Sequence, residues 1–232
     1  MAGIKSGING QINNNIVTDG LVFYVDPAYK KSYPGSGTTS TDLVNSVTGT
    51  LQSSGMFENT NNGVFDFDGA TNYIDFGNAD ELNITEFITI SAWVKAGSSS
   101  TDRCYIAKRG TSGNAYQISQ YSNKAIGLSI WIGSSRKDLL GTTNHVQDVW
   151  YHVVGTYNGS YMRVYVNGVE ENNQAQIGSI DTTTNTFRIA AENFSSAYWF
   201  NGKISSVQIY NRALLAGDVF QNYQAQKERF GL

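Results

Sequence analysis

Residues 150–169 read WYHVVGTYNGSYMRVYVNGV, and this stretch decides the fold. Trp150 to Tyr157 and Tyr161 to Val166 are rich in the β-branched and aromatic residues that suit a pleated, half-buried surface. Asn158-Gly159 separates the two runs, and Asn167-Gly168 precedes Val169. Asn-Gly supplies the positive φ angles that a two-residue hairpin turn demands. Two such pairs so closely spaced predict a meander of antiparallel strands.

Outward from this unit the pattern repeats. Leu21 to Asp26 is the first strand-like run, and Lys31 to Thr41 is a loop by composition. In GVFDFDGATNYIDFG, residues 63–77, Phe65 and Phe67 share one strand face and Asp66 and Asp68 the other, because strand side chains alternate. Asp68-Gly69 opens a turn, and Tyr73 to Phe76 returns. Phe87 to Lys95 places Ile88, Ile90, Ala92 and Val94 on one face. Tyr105 to Ala107, Ala115 to Ser119, Ile126 to Ile132, Thr186 to Ala190 and Lys203 to Tyr210 are further strands. Roughly a dozen short strands at this spacing predict an all-β fold, an antiparallel β-sandwich of jelly-roll type. Only the C-terminal segment reads as helix: in Ala216 to Lys227, Val219, Phe220 and Tyr223 form one apolar stripe.

Composition agrees. The 232 residues hold 24 glycines, 14 tyrosines, 11 phenylalanines and two prolines, with 40% hydrophobic and 15% charged residues. The net charge of −3 argues against nucleic acid as a partner, since phosphate neutralisation needs a basic face. Apolar runs such as Leu21 to Val25 are far short of the ~18 residues of a membrane-spanning helix. The single cysteine, Cys104, excludes an internal disulfide and reads as a small buried hydrophobe. Three segments are expected: an extended N-terminal arm over residues 1–19, a jelly-roll domain over 20–212, and a helix and tail over 213–232. In the arm, Ile4, Ile8, Ile12 and Ile16 recur every four residues among Gly and Asn, which oppose a helix. An extended arm of this kind is expected to add to a neighbouring subunit and to be dispensable for folding. No apolar leader segment is expected at the start of the chain.

Five segments in order carry a family resemblance: GLVFYVD at 20–26, VFDFDGATNYIDFG at 64–77, ITISAWVK at 88–95, residues 150–168, and FNGKISSVQIYNRAL at 200–214. With them the chain resembles the laminin-G-like, concanavalin-A-like lectin/glucanase superfamily of jelly rolls. Further, VTDGLVFYVD, SYPGSGTTSTDL and NYQAQKERFGL are similar to stretches of virion structural proteins of tailed bacteriophages. That resemblance implies a non-enzymatic virion protein, in capsid decoration or in a tail or fibre, assembled in the host cytoplasm. Its partners would be phage capsid or tail proteins and further copies of itself. The alternatives are a carbohydrate-binding module that adsorbs to cell-surface glycans, and a glycan hydrolase.

A hydrolase needs two carboxylates at a defined separation. Jelly-roll hydrolases present them as acids at i, i+2 and i+4, and here Asp66 and Asp68 run into a glycine turn with no third acid. A serine-type triad also fails: His145 and His152 cannot be tied to any Gly-x-Ser-x-Gly elbow, and His152 reads as structural. The resemblance implies two further sites. Calcium is held in such sandwiches by carboxylates and carbonyls at one rim, and the candidates are Asp26, Asp66 and Asp68. Where the family commonly places an Asp-Glu pair, however, this chain has Ser205 and Ser206. Sugars stack on aromatic faces, and Trp131, Tyr198 and Trp199 are the aromatics expected to be exposed for that purpose.

Overall fold

The computed structural model describes residues 15–97, 102–122, 125–194 and 198–232. Among them are sixteen strands and one α-helix. The strands are β1 (Leu21–Val25), β2 (Thr39–Thr41), β3 (Thr48–Leu51), β4 (Phe57–Glu58), β5 (Val64–Asp68), β6 (Ile74–Asp75), β7 (Ile88–Ala96) and β8 (Arg103–Gly110). They continue with β9 (Gly113–Gln120), β10 (Ala125–Ile132), β11 (Ser135–Asn144), β12 (Trp150–Tyr157), β13 (Tyr161–Val166), β14 (Val169–Ala175), β15 (Phe187–Ile189) and β16 (Asn201–Tyr210). Helix α1 (Ala216–Gln226) runs into a 3-10 turn over Lys227–Phe230.

The strands form two antiparallel sheets. The first has the order β14-β13-β12-β7-β16-β5-β4, with β1 also on β16; the second runs β11-β10-β9-β8-β15-β6-β3-β2. The meander at 150–169 forms as its turns dictate. Val166 pairs with Val169 across Asn167 and Gly168, whose φ angles are 49° and 82°. Both values lie in the left-handed region that Asn and Gly tolerate best.

Between the sheets lies one core. Ile88, Ile90, Ala92 and Val94 of β7 meet Tyr116 and Ile118 of β9 and Leu128 and Ile130 of β10 there. The other face of the first sheet is covered as well. Trp93 stacks on Phe230 with ring centroids 4.2 Å apart and on Tyr223 at 5.9 Å, so the C-terminal segment roofs β7 and β12. This explains why β7 is buried along almost its whole length rather than on alternate residues. The helix uses part of the apolar stripe expected of it: Val219 is buried and Tyr223 packs on Trp93, but Phe220 is exposed, and the polar Asn222 and Gln226 are buried instead. The buried amides are paired, Asn222 donating to Tyr210 Oη at 2.9 Å and Gln226 accepting from Trp93 Nε1 at 2.8 Å.

The N-terminal boundary requires correction. Ile4, Ile8 and Ile12 lie outside the described residues. Ile16 and Val17, assigned to a dispensable arm, are buried against Tyr210, Leu214 and Val219. The Val17 N–H donates to Asn222 Oδ1 at 2.8 Å, and its carbonyl accepts from Tyr210 Oη at 3.0 Å. Ile16 and Val17 therefore pack with the folded unit against the same helix, while Thr18 and Asp19 are exposed. Ile16→Ala is expected to lower the free energy of unfolding by about 2 kcal/mol, the lower end for a buried Ile-to-Ala change. Urea denaturation of the purified chain checks this.

Candidate functional site

The expected calcium ligands do not assemble. Asp26 is fully buried, and its Oδ2 accepts from Arg229 Nη1 at 2.6 Å and from Tyr24 Oη at 3.1 Å. Asp66 faces Lys203, whose ammonium also binds Glu58 at 2.5 Å. Burial, more than the neighbouring Glu58, holds the Asp66 carboxyl above the usual range. Asp68 caps its own turn, accepting from the N–H groups of Ala70, Thr71 and Asn72 and from the Thr71 hydroxyl. Partial desolvation works against it, but these hydrogen bonds hold its carboxyl well below the usual range. Among the described residues, no three His, Cys, Asp or Glu side chains come together as a metal site. The physical reason is that each aspartate is already committed: to an arginine, to a lysine, and to backbone N–H groups.

The position of the missing acid pair is informative. The Ser205 hydroxyl accepts from Arg229 Nη2 at 2.7 Å and donates to the Gly63 carbonyl at 3.1 Å, while Ser206 Oγ accepts from Gln226 Nε2 at 2.6 Å. Two serines here serve to anchor the C-terminal segment. Both histidines are equally structural. His152 Nε2 meets Ser91 Oγ at 2.9 Å beneath Trp93, and His145 Nδ1 meets Tyr105 Oη at 2.8 Å. Burial lowers the first pKa to about 3 and the second to about 4.

With the first sheet roofed by helix, the outer face of the second sheet holds a cleft of its own. Its floor comes from side chains that alternate with the core: Gln117, Ser119 and Tyr121 from β9 and the residue after it, against Tyr116 and Ile118 inward. Arg103, Cys104 and Arg109 of β8, Arg136 of β11, and Asp102, Glu192 and Tyr198 complete the wall. The cavity is about 50 Å³. Across it runs a column of alternating rings and cations. The Arg109 guanidinium lies 5.2 Å from the ring centroids of both Phe194 and Trp131, and Arg136 lies 5.5 Å from those of Trp131 and Tyr121. Arg109 also pairs with Glu192, and Arg136 with Asp138 at 2.7 Å. The Arg136 Nη2 donates to Tyr121 Oη at 2.8 Å, and burial pushes the Tyr121 hydroxyl up to about 12. Burial likewise raises the Cys104 thiol, whose sulfur lies 3.6 Å from the Ala191 carbonyl, so it is no thiolate nucleophile at neutral pH.

The three expected aromatics divide. Trp131 is not the exposed platform anticipated: it is 5% exposed because the two guanidiniums cover it. Tyr198 lines the cleft beside them. Trp199 instead packs on Tyr73 at 5.0 Å, with Arg188 over the Tyr73 ring at 4.6 Å. The arginines, Gln117, Ser119 and Glu192 were missed from sequence. Their one signal is the polar alternation Gln117, Ser119, Tyr121 against the inward-facing Tyr116 and Ile118.

Among the described residues no helix is long and apolar enough to cross a membrane. No curated protein sequence matches the chain. Solved structures match its fold. The binding domain of Paraclostridial Mosquitocidal Protein 1 superposes with a TM-score of 0.72 at 14% identity, over 88% of this chain and 52% of that one. The receptor-binding domain of botulinum neurotoxin C/D mosaic serotype gives 0.71 at 15% identity, over 90% and 52%. The chain thus spans about half the length of those toxin domains. Domain 4 of AbnA, an extracellular GH43 arabinanase from Geobacillus stearothermophilus solved with arabinotriose, gives 0.65 at 17% identity, over 88% of this chain and 98% of that one. A family model described as the concanavalin A-like lectin/glucanases superfamily matches residues 68–220. With its two antiparallel sheets and the five sequence segments in order, the chain belongs to the concanavalin A-like lectin/glucanase superfamily.

Proposed function

We propose that this chain is a non-catalytic, lectin-like glycan-binding domain, and that it is carried on a tailed-bacteriophage particle. The observation that carries the first half is the cleft on the second sheet. It combines aromatic rings, forked donors and hydroxyls within one concavity, the mixture that fixes a polyhydroxylated ligand. The likeness to an arabinanase domain solved with arabinotriose supports the same reading. Catalysis fits the cleft less well. Glycoside hydrolysis needs a protonated acid beside a second carboxylate. Of the two acids lining the cleft, Glu192 is held by Arg109 and Asp102 accepts the Ser122 N–H at 2.6 Å. The second half rests on the similarity of VTDGLVFYVD, SYPGSGTTSTDL and NYQAQKERFGL to phage virion proteins.

A glycan array probed with the full chain tests the binding. We expect retention on a defined subset of glycans, weakened about ten-fold or more by Tyr198→Ala with an unchanged melting curve, and no release of reducing sugar. Loss of about 1.4 kcal/mol corresponds to that factor. No retention on a broad panel would overturn the reading. Immunogold labelling of purified particles tests the location, and unlabelled particles would remove the virion role.

A further inference from the structure

The cleft is too small for a whole sugar. A cavity of about 50 Å³ compares with roughly 300 Å³ or more for pockets that enclose a small molecule. It admits one substituent, leaving the ring outside. What that substituent must be follows from two groups in the lining whose polar atoms are buried with no nitrogen or oxygen partner. One is the Arg109 Nε; the other is the Ser119 hydroxyl, beside the Cys104 thiol on a residue only 4% exposed. A buried donor left unmade is costly, so such atoms in a native structure call for an explanation.

The geometry of Arg109 narrows the answer. The rings of Trp131 and Phe194 lie against its planar group, so its N–H bonds are the edge left for polar contacts. Nη1 is taken by Gln117 at 3.2 Å and by Glu192. Of the other N–H bonds, the one on Nε is buried and unmade, on a group that is always cationic and matches planar anions best. Three guanidiniums (Arg103, Arg109 and Arg136) and two carboxylates (Asp102 and Glu192) line the cavity, and Asp138 binds Arg136. The surroundings therefore do not oppose an added negative charge as the chain's net −3 otherwise would.

We infer that the cavity takes the carboxylate of an acidic sugar residue, with Arg109 Nε–H and the Ser119 hydroxyl as donors. The sugar ring rests outside, against Tyr198 and the exposed Phe194. This assignment rests on the glycan-binding reading and names the ligand class for that same cleft.

Titration calorimetry of the full chain with sialyllactose and oligogalacturonate, each alongside its methyl ester, tests it. The ester keeps the sugar and removes the charge. We expect at least one acid form to bind, its ester to bind about ten- to hundred-fold more weakly, and rising salt to weaken the acid form alone. Arg109→Lys keeps the charge opposite Glu192 but loses the planar fork, and is expected to lose a similar factor. Ser119→Ala removes a hydroxyl whose protein neighbour is the weakly hydrogen-bonding Cys104 thiol. It is expected to weaken binding of the acid form while leaving the melting temperature unchanged or raised, a combination that a structural role for Ser119 would not produce. Equal binding of acid and ester, with both lost in Tyr198→Ala, would overturn the carboxylate assignment and leave the glycan reading standing. Failure of every acidic and neutral saccharide to bind would overturn both.

Discussion

Arg229→Ala is expected to lower the free energy of unfolding by about 3–5 kcal/mol, the usual cost of stripping one partner from a buried ion pair. Asp26 is fully buried, and its partner's side chain is only 13% exposed. The guanidinium does more than neutralise it. Nε donates to the Asn61 carbonyl at 2.5 Å, and Nη2 to the Gly63 carbonyl at 2.6 Å and to Ser205. In return, Asn61 Nδ2 donates to the Arg229 carbonyl at 2.8 Å. One residue near the C-terminus thus ties together β1, the turn before β5, and β16. Its neighbour Phe230 holds Trp93 and Trp150 at 4.2 and 4.7 Å, so loosening Arg229 also exposes the aromatic stack. In Arg229→Ala the carboxylate of Asp26 stays buried with only neutral partners. The double variant Asp26→Asn/Arg229→Met removes both charges and is expected to recover a good part of the loss. Thermal denaturation reads the effect, since 1 kcal/mol corresponds to roughly 2–4 °C for a chain of this size. A change in Arg229→Ala below about 1 kcal/mol would sink the idea that the pair anchors the C-terminal segment.

Acidification from pH 7.5 to 5 is expected to lower stability by about 4 kcal/mol through the two histidines together. Burial holds His152 near 3 and His145 near 4, whereas both titrate near 6.5 in the unfolded chain. The sign follows from proton counting. Between about pH 6.5 and 4 the unfolded state binds protons that the native state does not, so stability falls as pH falls. Within that window each histidine contributes a slope of up to about 1.4 kcal/mol per pH unit. The structure explains the resistance to protonation: His152 Nδ1 and His145 Nε2 are buried with no acceptor to receive a new N–H. Asp42 and Asp66 act in the opposite sense at the acid end, because burial raises their carboxyls. His145→Gln and His152→Gln should each remove about half of the slope between pH 6.5 and 5, whatever they do to absolute stability. A melting temperature that is flat over this range in the parent chain would contradict the assignment of both histidines as buried and neutral.

Much of the sandwich was legible because its signals are local. The turn at Asn167-Gly168 falls where expected, while the first turn is centred one residue later than expected, with Gly159 at a φ of 79° and Asn158 paired with Tyr161. β12 and β13 match the runs that announce them, and β16 starts two residues earlier than its run. Alternation at Phe65 and Phe67, and at Ile88 to Val94, marks the true core face. What local pattern does not show is where one strand face meets a segment distant in sequence. Trp93, Ser91 and Thr89 alternate with the inter-sheet core residues of β7, and α1 and residues 16–17 cover that side of the first sheet. For the same reason Ile16 was read as part of a free arm. A helix with few apolar residues gave no hint that Asn222 and Gln226 would be its buried contacts.

The sequence by itself determined the fold class, the meander at 150–169, the core faces of β5 and β7 and the terminal helix. All of these follow from short-range periodicity and from turn chemistry, which a single segment carries whole. Only the tertiary structure decided where charge and polarity would be spent. Asp26 finds Arg229 across 203 residues, and Arg109 finds Glu192 across 83. Such pairings leave no local pattern, because side chains meet through the register of strands far apart in the chain. The cleft on the second sheet is of this kind: β8, β9 and β11 each contribute polar residues that look like ordinary solvated positions until register and the loop after β15 bring them around one cavity.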